Sequence, residues 1–333
     1  MDAVRVLIVG MGGMGQEHAR RLLDVPDARI VGMVDPSSAA IAAARAEVPA
    51  LEEVPAFGDL YEALHGVPAD MAVIVSLHSQ HLTHGLACLE AGLHVLMEKP
   101  FVAGSVNAER LIAYAQEQGK LLAVSYQRHL EGPYVYLREL VASGGLGRIL
   151  AFSAYQSQQW LAGTTGTWRQ DPEKACGGQL NDSGSHLLDV ILWVTGLSPI
   201  EVSAVIDNRG TRVDIDSALA VRCEGGAIGT FTVVGSAVGI DDVWEDIVIH
   251  GDRGTAFYRR GTLLVARDGA AAPVAVPPDD IVPDGDPDRD FVEVILGRKA
   301  EPAAPAWCGL AVARLTEAAW ESARRGCAVS LMA

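Results

Sequence analysis

The sequence predicts an α/β chain of two domains. Residues 1–124 read as a doubly wound parallel sheet, and residues 125–333 as an α+β domain with a large, mostly antiparallel open sheet. Three observations carry this. The first third alternates short apolar runs with helix-period segments. A glycine-rich turn, Gly10-Met11-Gly12-Gly13-Met14-Gly15, joins the first run to the first helix. Beyond residue 200, strand-like runs follow one another with no helix between them.

In the first domain the runs Val4–Val9, Ile30–Val34, Met71–Val75, His94–Met97 and Leu121–Ser125 are apolar and bounded by turn or polar residues. Helix-like segments separate them: Met14–Leu23, Ser37–Ala46, Leu60–His65, Leu82–Ala91 and Val106–Gln118. Continuous apolar strands in repeated βα units imply a parallel sheet covered on both faces. The second domain opens with a helix at Pro133–Ser143 and a strand at Ile149–Gln159. A Gly/Thr-rich loop, Leu161–Gly178, leads to a helix at Asn181–Thr195. The serial strands Ile200–Ile206, Ser217–Cys223, Ala227–Val234, Trp244–His250, Thr255–Tyr258 and Leu263–Ala266 suggest antiparallel pairing. Arg267–Asp290 holds seven Asp against two Arg and reads as a solvated loop before a final helix at Trp307–Arg324.

Composition narrows the function classes. The 333 residues are 49% apolar and 20% charged, enough for large cores and against disorder. A net charge of −16 argues against nucleic acid and anionic membranes as partners. Five scattered cysteines without a CxxC suit reduced thiols, and no signal peptide is evident, so the expected location is cytoplasmic.

Gly10, Gly12 and Gly15 fit the spacing of a dinucleotide turn. The first permits the turn, the second lets a pyrophosphate approach, and the third lets helix and strand pack closely; the helix start supplies N–H groups. Asp35, twenty residues after Gly15, is placed to bind ribose hydroxyls. A carboxylate there repels a 2′-phosphate, which favours NAD, while Ser37 and Ser38 leave NADP open. Lys99, in Glu98-Lys99-Pro100 at the end of a strand, would face the reacting end of that cofactor.

Asp182-Ser183-Gly184-Ser185-His186-Leu187-Leu188-Asp189 is the second informative stretch. On one helix, Asp182, His186 and Asp189 share a face within an otherwise apolar segment. A histidine beside carboxylates is a natural general base. The competing account is a histidine tied to an aspartate for packing. His78, His81 and His84 lack a nearby Cys or carboxylate and fit a loop and helix start better than a metal site, so no metal is expected.

Together these motifs resemble the glucose–fructose oxidoreductase/inositol dehydrogenase/MocA family. The resemblance runs through nearly the whole chain: GMGGMG at Gly10–Gly15, Asp35, AGLHVLMEKP at Ala91–Pro100, VSYQR at Val124–Arg128, then GTWR and GGQLNDSGSHLLD. It implies a Rossmann domain for NAD(P) and a sheet domain that covers a sugar or polyol substrate and forms a homodimer or homotetramer. It implies catalytic roles for Lys99 and His186, with Asp182 on a substrate hydroxyl. The implied cofactor contacts are Gly10, Gly12, Gly13, Met14, Gly15, Asp35, Ser76, His81, Glu98, Lys99, Gln127, Trp168 and Arg169. One departure is Ser76-Leu77-His78, where the family often has Thr-Pro. The expected activity is hydride transfer from a secondary alcohol. The rivals are a redox-assisted glycosidase with tightly bound NAD and a non-catalytic NAD sensor.

Overall fold

A computed structural model describes residues 3–240 and 242–331. Two compact units divide the chain: Met1–Gln127 with Gly285–Leu310, and Arg128–Asp284 with Ala311–Ala333.

In the first unit, strands and helices alternate as the apolar runs predict. They are β1 (Val4–Val9), α1 (Gly13–Leu23), β2 (Ala28–Val34), α2 (Ser38–Glu47), β3 (Ala56–Phe57), α3 (Leu60–Gly66), β4 (Met71–Ile74), α4 (His81–Glu90), β5 (His94–Met97), α5 (Ser105–Glu117) and β6 (Leu122–Val124). All ladders are parallel, in the order β3-β2-β1-β4-β5-β6. Of these elements, β3 alone has no counterpart in the sequence reading, because two residues are too few to show a period. The order reverses at β1, with β2 on one side and β4 on the other. The carboxyl ends of β1 and β4 therefore open a crevice of the kind that binds ligands in such sheets. Val6, Leu7 and Ile8 are fully buried, as expected for a strand covered on both faces.

The rest of the chain forms α6 (Gly132–Ala142), β7 (Ile149–Ser157), α7 (Trp160–Gly163), α8 (Pro172–Ala175), α9 (Gly184–Thr195), β8 (Pro199–Asp207), β9 (Asp216–Cys223), β10 (Ile228–Val234), β11 (Trp244–Gly251), β12 (Gly254–Arg259), β13 (Thr262–Arg267), β14 (Val274–Ala275), α10 (Pro287–Ile295), α11 (Ala306–Arg325) and β15 (Val329–Ser330). The second unit's nine strands run β14-β13-β12-β11-β7-β10-β9-β8-β15. Only the β7–β10 pair is parallel. Phe231 and Val233 of β10 point into the core, while Ile228 and Thr230 alternate to the open face. Helix α9 lies against β7 and β10, and eleven of its twelve residues are buried.

Three expectations change. The sequence reading assigns 285–310 to the second domain, but these residues belong to the first compact unit. The acidic Arg267–Asp290 stretch is not all solvated loop, because α10 begins inside it. Asp286 caps that helix by accepting from Arg289 N (2.8 Å), and Pro287 opens it. Phe291 and Val292 are fully buried in the first unit's core with Val6, Ile8, Met33 and Leu96. Asp288 and Asp290, read as solvated charges, are buried as well. Finally, the helix expected at 181 starts at Gly184, because residues 181–183 form a turn.

Candidate active site

The glycine turn sits between β1 and α1. Gly10 has φ +107°, and a Cβ there would lie 2.6 Å from Val75 O. A Cβ on Gly15 would meet Gly10 O at 2.0 Å, so the helix can approach the strand only without a side chain. Gly12 and Gly13 differ: nothing lies within 4 Å of a Cβ built on either. That open backbone, at a helix start with no acidic residue in its first turn, fits a pyrophosphate. Met14 is exposed beside it. Asp35 follows β2 and braces the turn, with Oδ2 accepting from Met11 N (2.9 Å) and Oδ1 from Ser37 N (2.8 Å). Each oxygen keeps a further lone pair for a ribose hydroxyl.

Beyond β4, Ser76 Oγ pairs with His84 Nδ1 at 2.9 Å. His81 is buried, with Nδ1 2.9 Å from Pro100 O and 3.0 Å from Phe101 O, and Nε2 3.1 Å from Ser76 O. Its ring thus ties the segment after β4 to the segment after β5. Half-buried Gln127 follows β6 in a short turn of helix.

Beyond β5, Glu98 is 5% exposed and Lys99 is half-buried. Glu98 Oε2 accepts from the Lys99 backbone N–H (2.9 Å), and Oε1 lies 3.1 Å from His18 Nε2. On its other side, His18 Nδ1 lies 2.8 Å from Asp288 Oδ1. Burial pushes the Glu98 carboxyl up, but the His18 hydrogen bond and the His18 and Lys99 charges draw it down to about 2. Burial works against the His18 imidazolium, yet Asp288 and Glu98 more than offset it and hold the ring up to about 10.

In the second unit, His186 is 8% exposed in the first turn of α9. Asp182 precedes the helix, and its Oδ2 accepts from Trp160 Nε1 (3.0 Å) and Arg169 Nε (3.0 Å). Arg169 lies 4.6 Å over the Trp168 ring. Next to this turn, Ser183 Oγ accepts from Gln156 Nε2 (2.9 Å) and donates to Gln158 Oε1 (2.9 Å). The expected helical stripe is therefore corrected. Asp182 lies outside the helix, and Asp189 pairs with His129 Nε2 (2.8 Å).

Sequence reasoning missed three residues that shape these surroundings. His18 falls with Gly15, Ala19 and Leu22 on the buried face of α1, so its position among apolar residues was a legible signal. Asp288 pairs with it across 270 positions, which no local pattern reveals. Asp214 organises the turn before His186 by accepting from Gly178 N (2.9 Å), Leu180 N (2.6 Å) and Trp320 Nε1 (3.0 Å).

Two family models match in tandem. Residues 4–126 match the oxidoreductase family with the NAD-binding Rossmann fold, and residues 134–257 match the GFO/IDH/MocA C-terminal domain. The chain belongs to the Gfo/Idh/MocA family. Over 216 residues it is 27% identical to scyllo-inositol 2-dehydrogenase (NADP(+)) IolW of Bacillus subtilis, covering 65% of this chain but only 58% of that relative. Over 284 residues it is 28% identical to inositol 2-dehydrogenase 1 of Saccharopolyspora erythraea, covering 83% and 80% of the two chains. An oxidoreductase domain protein of Kribbella flavida shares the fold over the whole of both chains, with TM-score 0.89 at 22% identity. The Gfo/Idh/MocA assignment makes the Gly10–Gly15 turn part of an NAD-binding Rossmann domain.

Proposed function

We propose that this protein is an NAD-dependent dehydrogenase acting on a secondary alcohol of a sugar, cyclitol or related polyol. The observation that carries the reading is the surroundings of Lys99: an amine placed beyond a strand end of an NAD-binding sheet, beside a buried, ionised Glu98. When bound, the nicotinamide ring accepts or returns the hydride. The cofactor contacts proposed in the first unit are Gly10, Gly12, Gly13, Met14, Gly15, Asp35, Ser76 and Glu98, with Gln127 at its end. His81 is assigned to hold the strand-end segments in place. From the second unit, Trp168 and Arg169 border cofactor and substrate.

In this reading His186 takes the hydroxyl proton and Lys99 donates a hydrogen bond to the same oxygen. Asp182 binds a neighbouring hydroxyl while holding Arg169 and Trp160. The Asp35 carboxylate favours NAD, since a 2′-phosphate would meet a like charge. Support for a polyol comes from inositol dehydrogenases among its relatives, two of which are described above.

A homodimer or homotetramer through the open sheet face belongs to the same proposal. Across that face Ala220, Thr230, Ser153, Val248, Phe257 and Leu264 stand in register, a row without a charge. Sedimentation of wild type and Phe257→Glu tests it: a monomeric wild type rules it out. Cytoplasmic location is part of the proposal too; among the described residues no helix is long and apolar enough to cross a membrane.

The deciding experiment is an NADH-absorbance screen of inositols, aldoses, sugar acids and anhydrosugars with NAD and NADP in parallel. NADH production from one class of polyol is expected. Cofactor binding with no turnover across that panel would sink the reading.

A further inference from the structure

Among the buried groups that the catalytic reading leaves unused, one lies beside Glu98. His18, on α1, is completely buried and has a carboxylate on each ring nitrogen: Asp288 on Nδ1 at 2.8 Å and Glu98 on Nε2 at 3.1 Å. A neutral imidazole has one N–H, so either tautomer would set a bare nitrogen lone pair against a carboxylate. The doubly protonated ring satisfies both acceptors. The far end of the array is also anchored, because Glu98 Oε2 accepts from the Lys99 backbone N–H and Glu98 N donates to Ile74 O (2.8 Å). Asp288 is anchored in turn by α10, whose Phe291 and Val292 are fully buried in the same core.

Three ionisable side chains at 0%, 0% and 6% exposure form a costly way to fill space. Apolar residues of similar volume pack such a site at least as well, because desolvating charges offsets their attraction. Two further observations argue for a task at the Glu98 end. The array stops at the residue next to Lys99, and His81 holds the carbonyls of Pro100 and Phe101 just beyond it.

We propose that His18 and Asp288 are positioning residues for Lys99, acting through a carboxylate–imidazolium–carboxylate chain that fixes Glu98 and, through it, the Lys99 backbone. This rests on reading Lys99 as the reacting amine, but the array's grip on Lys99 is measurable without any turnover. The charged groups facing the array are Lys99 beside Glu98, and Arg21 and Asp286 near Asp288. Burial drives Asp288 up and the imidazolium opposes it, so both carboxylates depend on the His18 charge.

The chain has only four lysines, Lys99, Lys120, Lys174 and Lys299, which makes lysine spectroscopy simple. Full-length protein is reductively methylated with carbon-13 formaldehyde, and the Lys99 resonance is assigned by its loss in Lys99→Ala. In His18→Gln the Lys99 resonance is expected to shift or broaden while those of Lys120 and Lys174 stay in place. NADH affinity, read by fluorescence titration, should change by less than about threefold, well under 1 kcal/mol of binding free energy. A folded His18→Gln protein with an unmoved Lys99 resonance overturns the proposal. Should that variant fail to fold, Asp288→Asn decides, since it keeps size and an acceptor: a moved Lys99 resonance supports the proposal and an unmoved one overturns it. Whether Lys99 serves turnover is read separately from the activity of Lys99→Ala, so the two readings fail independently.

Discussion

Lys99 and His186 are held by different means. The segment around Lys99 is fixed by buried charge, the Asp288–His18–Glu98 array, whose members lie on α10, on α1 and at the end of β5. The turn before His186 is fixed largely by backbone N–H donors on the Asp214 carboxylate and by side chains sharing Ser183 and Asp182. The first device depends on protonation and spans the chain. The second is mainly a hydrogen-bond network of neutral donors on fixed acceptors that gives a loop one conformation. In the proposed reading, an amine that holds an oxygen needs a fixed position, whereas a proton-accepting imidazole needs a fixed ring with a nitrogen lone pair turned to the hydroxyl.

Removing the functional group at each end tests the two devices most severely. Lys99→Ala and His186→Ala are each expected to cut turnover by about 10²–10⁴-fold, the range for positioned acid–base groups. NADH affinity should be largely kept in both. Wild-type turnover in both variants would remove the pair from the chemistry and leave two structural networks.

Next in size is a contrast within the glycine turn. Gly12→Ala meets no atom within 4 Å, so the protein should fold normally and lose about tenfold or more in NADH affinity. Gly15→Ala would place a Cβ 2.0 Å from Gly10 O and should lower thermal stability as well. Unchanged NADH binding in Gly12→Ala would argue against the pyrophosphate assignment.

A smaller effect is expected at Asp182→Asn. The amide keeps the size and one acceptor but drops the charge that holds Arg169, and hydrogen bonds to charged groups contribute about 1.5–3 kcal/mol. Turnover should fall about tenfold, and the melting temperature should drop by only a few degrees, at ~2–4 °C per kcal/mol. A large loss of stability instead would make Asp182 a structural residue of the turn.

The same contrast explains what was legible in the sequence. The glycine turn, Asp35 and Lys99 stand at strand ends, and strand ends can be read from short apolar runs followed by polar residues. The parallel order then brings such ends to one side of the sheet. Asp288 was not legible, because its helix starts inside an acidic, Pro-rich stretch whose composition suggests solvent. The Asp286-Pro287 cap and the buried Phe291-Val292 pair were there to be read. Asp182 and His186 are proposed from the sequence, but their relation differs in the structure: helical periodicity places both on one helix face, whereas a turn fastened to Asp214 delays the helix to Gly184. Local spacing assigns residues to a site more readily than it assigns their partners.

The effect furthest from turnover lies in the pH dependence of stability, and its sign separates the two devices. Against the effect of burial, the flanking carboxylates of Asp288 and Glu98 hold the His18 imidazolium up, from an ordinary 6.5 to about 10. Its contribution is therefore complete below about 6.5 and is lost as pH rises through about 10. Glu98 moves the other way, from 4.5 to about 2, so its contribution is present above about 4.5 and is lost as pH falls through about 2. The array is thus strongest between those limits, from about 4.5 to 6.5. Differential scanning calorimetry should show the melting temperature declining from about pH 7 towards pH 10, by ~2–4 °C for each kcal/mol lost. His18→Gln should melt lower at about pH 6 and stay flatter across the alkaline range, because the titrating ring is gone. Asp214→Asn should keep the wild-type alkaline slope, since its donors are backbone and indole N–H groups that do not titrate there. Parallel slopes in wild type and His18→Gln would assign the alkaline loss to the general repulsion of a chain carrying −16 charges rather than to the array.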